Sequence, residues 1–257
     1  MGSRIACHMA NIGLEVLLLD IAPFTLNAVE EKEGLSLDHP KVKNRIVTDA
    51  MKATLKSKPA SLYKKDFVNR IQTGNLTDDF EQIGDADWII EVVVERLDIK
   101  KQVFEKIESF RKVGSIVSSN TSGIPIHMML EDRSDAFKSH FLGTHFFNPP
   151  RYLELLEIIP TTHTNEEIVD FMMEFGDRSL GKVTVLCKDT PAFIANRVGV
   201  AGILSLFHLV EKRGLSVEAI DHLTGPIIGR PKSATFRTCD VVGLDTCLLY
   251  TSDAADE

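Results

Sequence analysis

Residues Gly2–Asp20 read GSRIACHMANIGLEVLLLD. Ile5, Ala6, Met9 and Ala10 recur on one helical face, and Asn11-Ile12-Gly13 closes that run with a glycine suited to a helix C-terminus. Glu15 to Asp20 come next as a short apolar run ending in an acid, the pattern of a buried strand. Helix, glycine, strand and terminal acid form the later part of a dinucleotide-binding βαβ unit. Such a unit opens with a strand and a G-x-G-x-x-G turn, with an acid about 20 residues beyond. Gly2 lies eighteen residues before Asp20, so it fits the third glycine of that turn. On this reading the first strand and first two glycines are expected upstream of Met1. A surface helix and an ordinary strand would give the same letters, so the assignment rests on the pattern of residues 24–150.

That pattern alternates. Residues 24–65 hold two helical stretches separated near Gly34 to Pro40. Arg70–Thr73 reads as a strand, Asp78–Ile83 as a small acidic helix and Trp88–Glu95 (WIIEVVVE) as a continuous apolar strand. Leu97, Val103, Phe104, Ile107 and Phe110 mark an amphipathic helix that Gly114 breaks, and Ser115–Ser119 is a further strand. Alternation of this kind through residue 150 predicts an α/β, Rossmann-like, doubly wound and mostly parallel sheet. Ligands of such sheets collect at the carboxyl ends of the strands. Asp20, Glu95, Ser122 and His145 all fall at or just past such ends.

Residues His140–Pro160, HFLGTHFFNPPRYLELLEIIP, carry the chemistry. The double proline ends the first apolar run and forces a turn, so a strand, a turn and a second strand are expected. That arrangement brings His145 near the carboxylates of the second run, Glu154 and Glu157. A carboxylate beside an imidazole fixes its tautomer and makes it a general base. A satisfied core histidine with two solvated glutamates is the plainer alternative, and strand periodicity does not choose between the two acids.

Beyond this stretch, Asn165–Leu180 reads as a helix and Lys182–Cys187 as a strand. Asp189-Thr190-Pro191 then starts a long helix, Ala192–Arg213, that is apolar nearly all round and calls for covering helices. Ser216–Leu223 is a second helix. Residues 1–188 thus form an α/β domain and 189–246 the start of an all-α domain, while 247–257, ending TSDAADE, is expected to be a non-native tail.

The 257 residues suffice for a full core, and the net charge of −8 argues against nucleic-acid or anionic-membrane partners. Cys7, Cys187, Cys239 and Cys247 show no metal-site spacing, and reduced thiols in a cytoplasmic compartment are expected. Neither a metal site nor membrane insertion is expected, since no apolar run approaches the roughly 20 residues that span a bilayer. Residues 41–65 are locally basic: Lys41, Lys43, Arg45, Lys52, Lys56, Lys58, Lys64 and Lys65 stand against Asp49 alone. They form either a solvated face or a dock for a phosphate-bearing ligand, with Lys52 and Lys56 as candidates.

Several motifs in order, MGSRIACHMANIG, SSNTSGI, GTHFFNPPRYLELLEIIP, KDTPAFIANR and GRPKSATFRTCDVVGLD, resemble the 3-hydroxyacyl-CoA dehydrogenases of fatty-acid β-oxidation over nearly the whole chain. The resemblance is closest to the long bacterial type that carries an enoyl-CoA hydratase-like module. It implies oxidation of (S)-3-hydroxyacyl-CoA to 3-oxoacyl-CoA with hydride passing to NAD, and a homo-oligomer formed through the complete helical domain. It implies that His145 is the base and Glu157, twelve residues on, its partner, with Ser122 and Asn196 at the reacting end of the substrate. Gly2, Asp20, Glu95, Lys100, Ser122 and Asn148 match cofactor positions, and the basic segment corresponds to a helical excursion that meets coenzyme A. A chain without the first strand is expected to hold NAD weakly. A catalytically inactive piece, a binding protein that kept the fold, or a dehydrogenase of a non-CoA hydroxy acid are the alternatives.

Overall fold

The structure, a computed structural model, describes residues 1–242. The residues after Val242, which include the expected tail and the end of the GRPKSATFRTCDVVGLD motif, lie outside the described ones. The chain divides into two units, Met1–Thr121 with Ile126–Lys188, and Ser122–Pro125 with Asp189 onward.

The first unit opens with helix α1 (Gly2–Asn11) and strand β1 (Val16–Asp20), then α2 (Ala28–Lys32), α3 (Pro40–Lys43) and α4 (Arg45–Leu55). Next come β2 (Ile71–Asn75), β3 (Trp88–Glu91), α5 (Leu97–Phe110), β4 (Ile116–Ser119) and α6 (Asp135–Lys138). It closes with β5 (Phe141–Phe146), β6 (Leu155–Pro160), α7 (Glu166–Arg178) and β7 (Val183–Leu186). β1 and β2 form a parallel pair, and β3-β4-β5-β6-β7 a five-stranded sheet, parallel except between β5 and β6. The mostly parallel sheet with flanking helices is therefore the one the alternation predicts. Gly13 takes the left-handed φ of +98° just beyond α1, the cap role read from its position.

Side-chain alternation on β5 sorts the core. Leu142 and Phe146, with Leu156 and Ile158 of β6, pack against Ile5 and Met9 of α1 and Met172 of α7. Phe141 points the other way, 4.9 Å ring to ring from Phe104 of α5 and 5.5 Å from Phe137 of α6. His145 and Glu157 share the parity of Phe141 and so face this second layer. Gly143 stands between them, where a Cβ would come within 2.7 Å of Ile126 Cδ1 and 3.0 Å of Ile159 Cβ.

Several ends shift by one or two residues, and three elements differ from the sequence reading in a way that has a physical cause or changes their type. β3 ends at Glu91 rather than Glu95, because the Glu91 carboxylate accepts the Val93 amide (2.5 Å) and draws the chain out of the ladder. The acidic helix is a 3₁₀ segment at Phe80–Asp85. The long helix, α8 (Ala195–Arg213), starts three residues late because Ala192 and Phe193 have left-handed φ values of 62° and 49°.

In the second unit α8 ends at Gly214, again left-handed, and is followed by α9 (Val217–Thr224) and α10 (Phe236–Val242). Asp221 of α9 accepts the amides of Thr235 and Phe236 and so caps α10, and Phe207 stacks on Phe236 at 5.0 Å. No residue of α8 is buried, although its sequence is apolar nearly all round.

His8, on the buried face of α1, points into the core, with Nε2 3.1 Å from the Leu180 carbonyl and Nδ1 without a hydrogen-bond partner. Burial first, then the nearby Lys182 and Arg151 charges, push its pKa down to about 4, against a partial opposing effect of the Leu180 carbonyl. The unfolded imidazole takes up its proton near pH 6.5, the folded one only near 4. Stability is therefore unaffected by His8 above pH 6.5 and declines from there toward pH 4, by roughly 2–3 kcal/mol. Urea unfolding across that window checks this, and His8→Gln should flatten the decline. Gly143→Ala should cost about 1–3 kcal/mol through forced displacement of Ile126 and Ile159; an unchanged urea midpoint would mean that the two side chains yield freely.

Candidate active site

The register of β5 against β6 sets His145 directly opposite Glu157. Glu157 Oε2 lies 2.7 Å from His145 Nδ1, and both side chains are buried. A carboxylate can only accept here, so Nδ1 carries the hydrogen and Nε2 is left as the basic nitrogen. The Phe147 ring, 4.5 Å away, walls the imidazole. Glu154 precedes β6 and is exposed, and its charge acts on Lys182, while the ring nitrogen of His145 is bonded to Glu157. Of the two acids that strand periodicity left open, Glu157 is the one that meets the histidine.

Behind this pair the ends of the parallel strands are tied by side chains. Asn120 donates its amide to the Glu91 carbonyl (2.8 Å) and accepts the Phe146 amide through Oδ1 (2.9 Å), which fixes the residue after His145. Lys100 is buried, with Nζ 2.8 Å from Glu91 Oε1 and 3.4 Å from Glu95 Oε2. Glu95 also accepts from the Thr121 hydroxyl, and its side chain remains 45% exposed. Sequence reasoning named Glu95 and Lys100 but missed Glu91, Ser119 and Asn120. A charged residue inside the run WIIEVVVE was the available signal for Glu91.

A dinucleotide needs amide donors for its phosphates and a carboxylate for a ribose. Gly2 opens α1, where the Gly2 and Ser3 amides precede the first helical hydrogen bonds, those of the Arg4 and Ile5 amides to the Met1 carbonyl (2.9 and 3.1 Å), and a Cβ on Gly2 would meet Leu18 and Val92 only at 3.8 Å. Asp20 ends β1, with one carboxylate oxygen on the Ile21 amide (2.8 Å). Arg4, which sequence reasoning missed, donates to Asn148 Oδ1 at 2.6 Å and so joins the start of α1 to the turn after β5. This set of groups fits the phosphates and ribose of such a cofactor.

Ser122 and Asn196 belong to the second unit and meet there, Asn196 Nδ2 donating to the Ser122 carbonyl (3.2 Å). The basic segment is less free than its letters suggest. Lys41 pairs with Glu33 (2.6 Å), Lys43 with Asp78 (2.9 Å), and Arg45 with Glu30; these acids lie outside the segment. Lys52 stands 3.6 Å from Asp49 and is well exposed, and Lys56 caps α4. Among the described residues no group of His, Cys, Asp and Glu side chains is arranged to hold a metal ion.

Residues 1–190 match the family model described as 3-hydroxyacyl-CoA dehydrogenase, NAD binding domain, and residues 193–257 its C-terminal domain. A probable 3-hydroxyacyl-CoA dehydrogenase of Bacillus subtilis is 58% identical over 246 residues, covering 96% of this chain and 31% of its own length. The chain thus spans about a third of that relative. A probable 3-hydroxyacyl-CoA dehydrogenase of Deinococcus radiodurans is 44% identical, covering 95% of this chain and 67% of its own. Among solved structures, (S)-3-hydroxybutyryl-CoA dehydrogenase of Ralstonia eutropha superposes with a TM-score of 0.74 at 26% identity, over 97% of this chain and 81% of that one. With both family domains matched in order, the chain belongs to the 3-hydroxyacyl-CoA dehydrogenase family.

Proposed function

We propose that the protein oxidises the 3-hydroxyl of a 3-hydroxyacyl-CoA to a ketone, and that His145 is its base. The observation that carries this reading is the buried His145–Glu157 pair at 2.7 Å, set beside the carboxyl ends of a parallel sheet. NAD supplies the hydride acceptor. As hydride leaves the carbon, the hydroxyl proton must leave the oxygen, and His145 Nε2 takes it. Glu157 holds the ring in the Nδ1–H tautomer and offsets the imidazolium charge that develops, as the third group of a triad does.

On this reading Ser122 and Asn196 orient the hydroxyl and thioester oxygens, a positioning role. Gly2 and Asp20 receive the pyrophosphate and adenosine ribose of the cofactor, with Glu95 and Asn148 toward its other end and the buried Lys100 acting from behind Glu95. Lys52 and Lys56, both exposed, are the candidates for meeting coenzyme A phosphates, and Lys58, Lys64 and Lys65 of the same segment are exposed as well. Residues 1–188 act as the cofactor domain and 189–246 as the start of a helical one. A second copy of the chain would cover α8, whose Val198 and Leu209 are exposed. No helix among the described residues is long and apolar enough to cross a membrane. On the same reading the protein is a cytoplasmic enzyme of β-oxidation, alone or fused to a hydratase-like module.

His145→Gln should lower kcat by about 10³-fold or more with NADH affinity within about twofold. Near-normal turnover in that variant would remove the assignment. Asp20 repels a ribose 2′-phosphate, so NAD should be preferred over NADP and Asp20→Asn should narrow the gap. Competition by free coenzyme A against the acyl substrate, weakened in a Lys52→Glu/Lys56→Glu variant, separates a CoA ester from a simple hydroxy acid.

A further inference from the structure

The carboxyl ends of β3 and β4 carry a closed ring of polar side chains. Glu91 Oε1 and Oε2 accept from Lys100 Nζ at 2.8 and 3.1 Å, and Lys100 Nζ reaches Glu95 Oε2 at 3.4 Å. Glu95 accepts from the Thr121 hydroxyl, the Thr121 amide donates to Ser119 Oγ (3.2 Å), and Ser119 Oγ returns to Glu91 Oε2 (2.5 Å). Glu91, Lys100, Ser119 and Thr121 are buried, and only the Glu95 side chain reaches solvent.

We propose that Glu91 is a positioning residue for cofactor binding, one that holds the Lys100 ammonium at the end of β3 and thereby sets where the Glu95 carboxylate stands. The inference rests on the dehydrogenase reading for its ligand, and on the ring itself for its geometry. With three donors directed at it through four hydrogen bonds, the Val93 amide, Lys100 Nζ (to both oxygens) and Ser119 Oγ, Glu91 is the fixed member. Lys100 lies between two carboxylates, in close contact with the inner one. Removing the charge of Glu91 leaves Glu95 as the only carboxylate of the ring beside Lys100, and the ammonium then draws Glu95 inward. The exposed carboxylate is thus withdrawn from the mouth of the sheet, where a nucleotide would be met. A buried ion pair of this kind gives little net stability, but losing one partner is costly, so specificity of placement is the function it can serve.

The test is titration of NADH into the intact chain carrying Glu91→Gln, Glu91→Asp or Ser119→Ala. It is accompanied by KM values for NADH and for acetoacetyl-CoA and by the thermal midpoint. Glu91→Gln should weaken NADH by about fivefold or more while the acyl-CoA KM stays within about twofold, with Glu91→Asp and Ser119→Ala in between. A lowered midpoint with NADH affinity unchanged would overturn the proposal and leave the pair as a structural tie. If the unaltered chain binds NADH but does not turn over an acyl-CoA, the dehydrogenase reading fails and the ring is still judged by the NADH series. If the unaltered chain does not bind NADH even in the millimolar range, the proposal fails as well.

Discussion

The antiparallel register of β5 and β6 is the constraint on which the site depends. Side chains in a sheet alternate with a period of two, so a slip by one residue would turn Glu157 toward α1 and α7 and set an apolar side chain opposite His145. Leu142 and Phe146 on one strand and Leu156 and Ile158 on the other fill the layer beneath those helices. The packing that buries those four side chains therefore also fixes the register that pairs imidazole with carboxylate. Gly143 belongs to the same logic: a Cβ there would have to displace Ile126 and Ile159.

Burying charge at the strand ends is expensive unless every group is paired. Here the pairs are shared among elements. Glu91 connects β3, α5 and β4 through Lys100 and Ser119, and Asn120 passes the tie on to Phe146 at the end of β5. Glu95 and Lys100 are thus tied, through Glu91 and Asn120, to the backbone of Phe146, the residue after His145. His8 is the exception, a buried imidazole with one nitrogen unpartnered, and it makes the core sensitive to acid rather than serving the chemistry.

Much of this was legible in the letters. The continuous apolar strands, the amphipathic α5 and the cap at Gly13 arise from periodicity and backbone preference, which act locally. The end of β3 was not legible, because it is decided by a side-chain carboxylate capturing the Val93 amide, and Val92 to Val94 read as ordinary strand residues. The start of α8 was misplaced for a similar reason: left-handed Ala192 and Phe193 are not preferences of those residues. The choice between Glu154 and Glu157 came from a family resemblance, since register is a property of two strands and cannot be read from one. The lysine-rich segment looked more basic than it is because its counter-charges, Glu30, Glu33 and Asp78, lie outside it.

The central claim is that Glu157 holds His145 as an Nδ1–H tautomer with Nε2 as the base. Nitrogen-15 NMR of histidine-labelled protein tests it directly. The account predicts a protected, strongly deshielded Nδ1–H proton for His145 that disappears in Glu157→Gln while the other histidine signals stay in place. A His145 signal in which Nδ1 bears no protected proton, or one indifferent to the loss of the Glu157 charge, would contradict it.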